Sequence, residues 1–161
     1  MTSPSKIIPI SRLASLSRSL KRKGKKIVTT NGTFDLLHIG HVRNLIKAKT
    51  FGDILIVGVN SDASVKSYKD PGRPIISERE RAEVVSALAP VDYVVIFNEP
   101  TPVRWLSLVK PHVHVKGGDW KKETMPEWEV VTQGGGRVVR DTRPRVCSTT
   151  QIIEQIRSKP R

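Results

Sequence analysis

The chain has 161 residues, 37% of them hydrophobic and 27% charged, which suits one ordinary core and is too apolar for a disordered protein. No apolar run approaches the roughly 20 residues of a membrane helix. The single cysteine, Cys147, excludes an intrachain disulfide and a cysteine-based zinc site, and fits a reducing compartment.

The net charge of +13 sits at the two ends. Residues 1–30 hold eight Lys/Arg and no acid, residues 137–161 hold seven against two acids, and the middle balances at thirteen of each sign. Basic ends of this kind attract polyanions in general. Neither end carries the interleaved aromatics that favour single-stranded nucleic acid, so neither a nucleic-acid nor a membrane partner is expected.

In chain order, residues 1–25 form a basic, Ser-rich tail with the composition of a transit peptide. Leu13, Leu16 and Leu20 nonetheless make one apolar helical stripe, and Gly24 stands where a helix would end. A short helix docked on the domain is expected, and removal of residues 1–10 is expected to spare activity because no catalytic motif lies there. Ile27 to Thr30 reads as a strand, followed by Asn31-Gly32-Thr33-Phe34-Asp35 and a helix from Gly40 to Phe51. Ile54 to Val59 is the continuous β-branched run of a strand buried on both faces. Lys66 to Pro74 reads as a basic loop, and Ser77 with Glu80 as a capping box opening a helix to Ala89. Tyr93–Phe97 is a strand, Pro102–Val109 a helix, His112–Val115 a strand and Arg137–Arg140 another, with a last helix from about Ser148. This alternation predicts one α/β domain spanning residues 1–161, its parallel sheet covered by helices on both faces. Ligands of such sheets bind past the carboxyl ends of the strands.

The segment carrying the clearest chemistry is Gly32-Thr33-Phe34-Asp35-Leu36-Leu37-His38-Ile39-Gly40-His41. Gly40 permits close approach of a phosphate to the backbone, the helix start offers unpaired N–H groups, and His38 and His41 at i and i+3 can both donate to an anion. A metal-binding His pair would want a carboxylate or cysteine at ligand spacing, and none stands there. Ser148 and Gln151 form a second capping box, with Thr149 and Thr150 at another helix start. Trp105 is expected in the core, Trp120 beside a ligand, and Cys147 as a small buried residue, while Trp128 is open.

The G-T-F-D-x-x-H-x-G-H string and the later Cys147-Ser148-Thr149-Thr150-Gln151-Ile152-Ile153 resemble the two signatures of the cytidylyltransferase-related nucleotidyltransferases. Val59-Asn60-Ser61-Asp62, the Lys66/Lys69/Arg73 loop, Arg81 and Val115-Lys116-Gly117-Gly118-Asp119-Trp120 are similar to the family's intervening segments in the same order. The joint pattern is most like the D-glycero-manno-heptose 1-phosphate adenylyltransferases, and a chain of this length would be a free-standing one. It departs at Arg145 and Val146, where related cytidylyltransferases often carry an acidic residue and glycine. The His-Ile-Gly-His string also occurs in class I aminoacyl-tRNA synthetases, but no K-M-S-K-S-type loop accompanies it here.

The resemblance implies a Rossmann-like nucleotidyltransferase fold, cytoplasmic location and a homodimer or larger homo-oligomer. It implies AMP transfer from ATP to a sugar 1-phosphate, giving ADP-heptose for lipopolysaccharide and pyrophosphate, with Mg²⁺ carried on the nucleotide phosphates rather than in a protein cage. His38, His41, Lys49 and Arg81 would be catalytic. Gly32, Thr33, Phe34, Gly40, Lys116, Gly118, Ser148, Thr149 and Thr150 would hold the nucleotide. Asp35, Asn60, Asp62, Lys66, Lys69, Arg73, Asp119 and Trp120 would hold the acceptor. A CTP-dependent enzyme acting on glycerol 3-phosphate or another phosphorylated alcohol keeps the same fold, and a basic surface-binding module is the non-enzymatic alternative.

Overall fold

The computed structural model describes residues 6–117, 124–142 and 147–159. The β-branched segments Ile27–Gly32 (β1), Ile54–Asn60 (β2), Tyr93–Phe97 (β3), Val113–Gly117 (β4) and Arg137–Asp141 (β5) form one sheet in the order β3-β2-β1-β4-β5. Every pairing is parallel. The strand order reverses beside β1, where the chain crosses to β4, and a crevice opens there at the carboxyl ends.

A 3-10 turn at Ile10–Arg12 and helices Leu13–Arg22 (α1), Ile39–Lys49 (α2), Asp62–Lys66 (α3), Glu78–Ser86 (α4), Val103–Val109 (α5), Pro126–Gln133 (α6) and Thr149–Ser158 (α7) complete the described elements. Successive strand side chains alternate between faces, which divides the core in two. Val28, Val57, Val94 and Val113 pack with Leu45 of α2 and Val85 of α4. Ile27, Ile56 and Val95 pack on the other side with Leu13 of α1, Trp105 of α5 and Val131 of α6. Trp105 is fully buried, as expected from its sequence context. Truncating it to alanine would cost about 3–5 kcal/mol.

The N-terminal helix is present and docked. Leu13 is fully buried, Leu16 and Leu20 join the same cluster, and Ser17 Oγ donates to the carbonyl of Val109. Gly24, at φ +68°, ends α1: its N–H donates to Lys21 O while that of Lys25 reaches back to Leu20 O. The segment before α1 also has a place in the fold. Ile7 bridges Val94 in parallel, Ile8 N–H donates to Val94 O, Val94 N–H donates to Lys6 O, and Lys6 Nζ donates to Val91 O. Residues 6–8 therefore cover part of the β3 edge.

Two helices went unread in the sequence. α3 is only five residues long, too short for periodicity, and is started by Ser61, whose side chain accepts from Ser64 N–H. α6 opens on Pro126 with Glu127 and Glu129 in its first turn, both favourable at a helix start. α4 has the expected capping box between Ser77 and Glu80 but ends at Ser86 rather than Ala89. Among the described residues no helix is long and apolar enough to cross a membrane.

Candidate active site

The site is assembled from the ends of β1, β2, β4 and β5 and the starts of α2 and α7. After β1 the chain turns at Phe34, whose φ is +51°, and buries the Asp35 carboxylate. Asp35 Oδ1 accepts from Ile75 N–H at 2.8 Å and Ile76 N–H at 3.0 Å, and Oδ2 accepts from Arg73 Nε. The 66–76 segment is thereby tied to the β1 loop. A second tie joins Thr33 Oγ1 and the Tyr68 hydroxyl at 2.8 Å.

His38 caps α2: its Nδ1 accepts from Gly40 N–H at 3.1 Å, so its neutral ring carries the proton on Nε2. His41 lies one turn on, and the two rings stack with centroids 3.9 Å apart and planes 24° apart. Gly40 is required here, since a Cβ would stand 2.9 Å from the His38 ring and 3.4 Å from the Cys147 carbonyl. Phe34 closes the other side of His41 at 5.0 Å. Burial pushes both imidazoles below their usual pKa; His41, with His38 as a like-charged neighbour, falls to about 4. Both rings are neutral at pH 7 and offer N–H donors to an anion.

α7 begins against this loop. Ser148 Oγ accepts from Gln151 N–H at 3.2 Å, which is the Ser148 half of the expected capping box, and Thr149 Oγ1 donates to Leu36 O. Two helix starts thus converge with their positive ends on one cleft of about 1060 Å³. Lys116, at the end of β4, forms an ion pair with Glu127, a residue of α6 that is 1% exposed.

Most of the sequence-predicted residues meet on this cleft. His38, His41, Gly32, Thr33, Phe34, Gly40, Lys116, Ser148, Thr149 and Thr150 line it, as do Asp35, Asn60, Lys69 and Arg73. Gly118, Asp119 and Trp120 lie outside the described residues, as do Arg145 and Val146. Four residues are placed elsewhere. Lys49, at the last turn of α2, pairs with Asp92 and donates to Asp53 O at the opposite end of the sheet, because a helix following β1 carries its carboxyl end away from the switch point. Arg81 is 1% exposed and spends its guanidinium on Ile76 O, Thr33 O and Asp62, so it braces the loop instead of lining the cleft. Asp62 is held in that same ion pair. Lys66 lines only a smaller hollow of about 380 Å³ on the 66–74 segment, shared with Lys69 and Arg73.

The structure adds Asn44, Tyr68, Thr101, Glu127 and Asp141 to the lining. Glu127 had a local signal, an acid just after Pro126 at a helix start; Asn44 looked like an ordinary polar position on a helix. Cys147 was expected to be buried and is half-buried, lining the cleft. Among the described residues no three His, Cys, Asp or Glu side chains stand together as a metal site.

A β3-β2-β1-β4-β5 parallel sheet with two stacked imidazoles at one helix start and a second helix start facing them defines a nucleotide-binding α/β domain of the nucleotidyltransferase type. The chain belongs to the cytidylyltransferase-like family, whose model matches residues 29–158. It is 51% identical over 156 residues, 97% of its length, to the bifunctional protein HldE of Geotalea uraniireducens, and 51% identical over 154 residues to that of Geobacter metallireducens. It spans about a third of those relatives, 32% and 31% of their lengths. Among solved structures, the lipopolysaccharide core biosynthesis protein of Thermoplasma volcanium matches with a TM-score of 0.66 at 26% identity, covering 76% of this chain and 100% of that one. Pantoate-beta-alanine ligase of Francisella tularensis shares the fold at 15% identity, with a TM-score of 0.57 over 94% of this chain and 76% of its own.

Proposed function

We propose that this chain transfers AMP from ATP to D-glycero-manno-heptose 1-phosphate, releasing pyrophosphate and giving ADP-heptose for lipopolysaccharide synthesis in the cytoplasm. The observation that carries the reading is the stacked His38–His41 pair opposite the α7 start, in a chain about half identical to bifunctional HldE proteins. An oxygen of the sugar phosphate attacks the α-phosphorus of ATP, one new P–O bond forms, and the bond to the pyrophosphate oxygen breaks. The attacking oxygen is already anionic at neutral pH, so no side chain has to remove a proton. That agrees with a cleft holding neutral imidazoles and no nucleophile–base pair at the reacting loop.

The protein's work is then alignment and charge stabilisation. His38 and His41 donate to the transferring phosphoryl group, and the α7 start with Ser148, Thr149 and Thr150 receives the outer phosphates. Lys69 and Arg73, on the segment tied down by Asp35, line the cleft and in this reading hold the acceptor phosphate. Of the three carboxylates that line the cleft, Asp35 is engaged by Arg73, Glu127 by Lys116, and Asp141 also has an interaction of its own, a donor set that fits an ion arriving on nucleotide phosphates. When bound in that way, Mg²⁺ would supply positive charge to offset that of the departing pyrophosphate. Self-association, implied by the family, has exposed apolar side chains available at Ile39 and Ile46 of α2 and Ile156 of α7.

The test is pyrophosphate release from four nucleoside triphosphates against a panel of phosphorylated acceptors. ATP with a heptose 1-phosphate should give the highest kcat/KM. Preference for CTP, or for glycerol 3-phosphate as acceptor, would move the chain to a cytidylyltransferase activity.

A further inference from the structure

Among the described residues that line the cleft, three buried side-chain atoms have neither a hydrogen-bond nor an ion-pair partner: His41 Nδ1, Asn31 Oδ1 and Asn44 Oδ1. Buried polar atoms of folded proteins are nearly always paired, so an orphan on a residue that lines a cleft points to a partner supplied by a ligand. A phosphate explains the imidazole, because a ring N–H can donate to it. It cannot explain the amide oxygens, which are acceptors and would repel an anion. They call for a donor, a hydroxyl or an amino group.

Asn44 is the better placed of the two. It stands three residues after His41 on α2, so one helical turn, roughly 5–6 Å between Cβ atoms, separates the phosphate-facing imidazole from the amide. Its amide nitrogen lies beside Gly117, where a Cβ would be 3.4 Å away, and Gly117 ends β4 at the switch point. The group attached one ester bond beyond the α-phosphate is the ribose of the nucleotide, and its hydroxyls reach about one helical turn from that phosphorus.

We infer that Asn44 is a specificity-determining residue that accepts a hydrogen bond from a ribose hydroxyl of the bound nucleotide, selecting ribonucleotides over deoxyribonucleotides. The inference rests on the nucleotidyltransferase reading. It assigns the amide a role that the histidines cannot perform, since they donate to phosphate while the amide accepts from the sugar. A site that loses one partner of such a bond leaves the other buried and unpaired, which makes the discrimination sizeable.

The experiment measures binding of ATP, 2′-deoxy-ATP and 3′-deoxy-ATP with Mg²⁺, without acceptor, to the wild-type chain and to Asn44→Ala. Asn44 is half-buried on a helix and alanine is the better helix former, so the variant should fold; thermal melting checks this. A second variant, Asn44→Ser, keeps a polar group at the site. The wild type should bind one of the deoxynucleotides about tenfold more weakly than ATP. In Asn44→Ala, ATP binding should fall by a similar factor while that ribo/deoxy ratio collapses towards one, with partial recovery in Asn44→Ser. A full ribo/deoxy ratio in Asn44→Ala, or no discrimination in the wild type, overturns the assignment and leaves the nucleotidyltransferase reading intact. Failure of the wild type to bind any nucleoside triphosphate would overturn both.

Discussion

The Arg81 guanidinium donates to the Thr33 carbonyl and to the Asp62 carboxylate, so α4 holds the β1 loop through a buried charged strut. Its third contact, to Ile76 O, ties in the segment that Asp35 also grips. Asp35, Arg73 and Arg81 thus shape the loop that aims His38 and His41.

Replacing Arg81 by methionine should therefore destabilise the protein by about 3 kcal/mol, because Thr33 O and Asp62 lose a buried partner. Nucleotide affinity of the folded fraction should fall much less than stability does. Denaturant unfolding together with nucleotide titration checks this. An Arg81→Met protein of unchanged stability that has lost turnover would place Arg81 on the substrate.

His41→Ala should lower kcat by about 100-fold, the usual effect of removing one donor to developing charge, while the fold survives. Circular dichroism and pyrophosphate release on the same preparation give the answer. Near-normal turnover in the folded variant would remove the imidazole pair from the mechanism.

Lys49→Ala should leave kcat and KM within about twofold of wild type. The Lys49–Asp92 pair is at the far end of the sheet and about a third exposed, so its loss should cost no more than about 1 kcal/mol. A large KM effect would contradict the placement of Lys49.

Stability should fall on acidification through pH 6.5. Burial lowers His41 to about 4 and His114 to about 3, so both are neutral in the folded chain while the unfolded chain protonates them near 6.5. The unfolded state binds the extra protons, so stability is full above pH 6.5 and is lost as the pH drops towards 4. Between pH 7 and 5.5 the loss should be about 2 kcal/mol. Urea unfolding at these two pH values measures it, and His41→Ala should remove about half of the change.

Deleting residues 1–9 should reduce stability by about 1–2 kcal/mol, since the bonds of Lys6 and Ile8 to the β3 edge are lost. Thermal melting compares this truncation with one ending at residue 5. Equal melting temperatures would show that the edge contact contributes nothing.

Local chemistry was legible before the structure. The run Ile54–Val57 announced a strand buried on both faces, Ser77 with Glu80 announced the start of α4, and the glycine between His38 and His41 announced a phosphate-facing helix start. What the structure bears out in the last of these is the helix start itself, with His38 as its cap; all three signals depend on residues within a few positions of one another, and short-range backbone geometry governs them. α3 and α6 escaped for the converse reason: five residues show no period, and the buried Glu127 of α6 looks like a surface acid until Lys116 of β4 is beside it.

Residue type and spacing determined the parallel α/β class, the docked α1 and the loop that carries the imidazoles, because propensity, capping and hydrophobic period act along the chain. Which cations reach the cleft was decided only in three dimensions. Lys49 and Arg81 carry the same charge as Lys69 and Arg73, yet one pairs with Asp92 at the sheet's far end and the other is enclosed behind Thr33. Asn44 gained its unpartnered oxygen and its neighbour Gly117 in the same way. Burial and long-range partners set the role of a charged or polar side chain, and both come from contacts between strands and helices far apart in sequence.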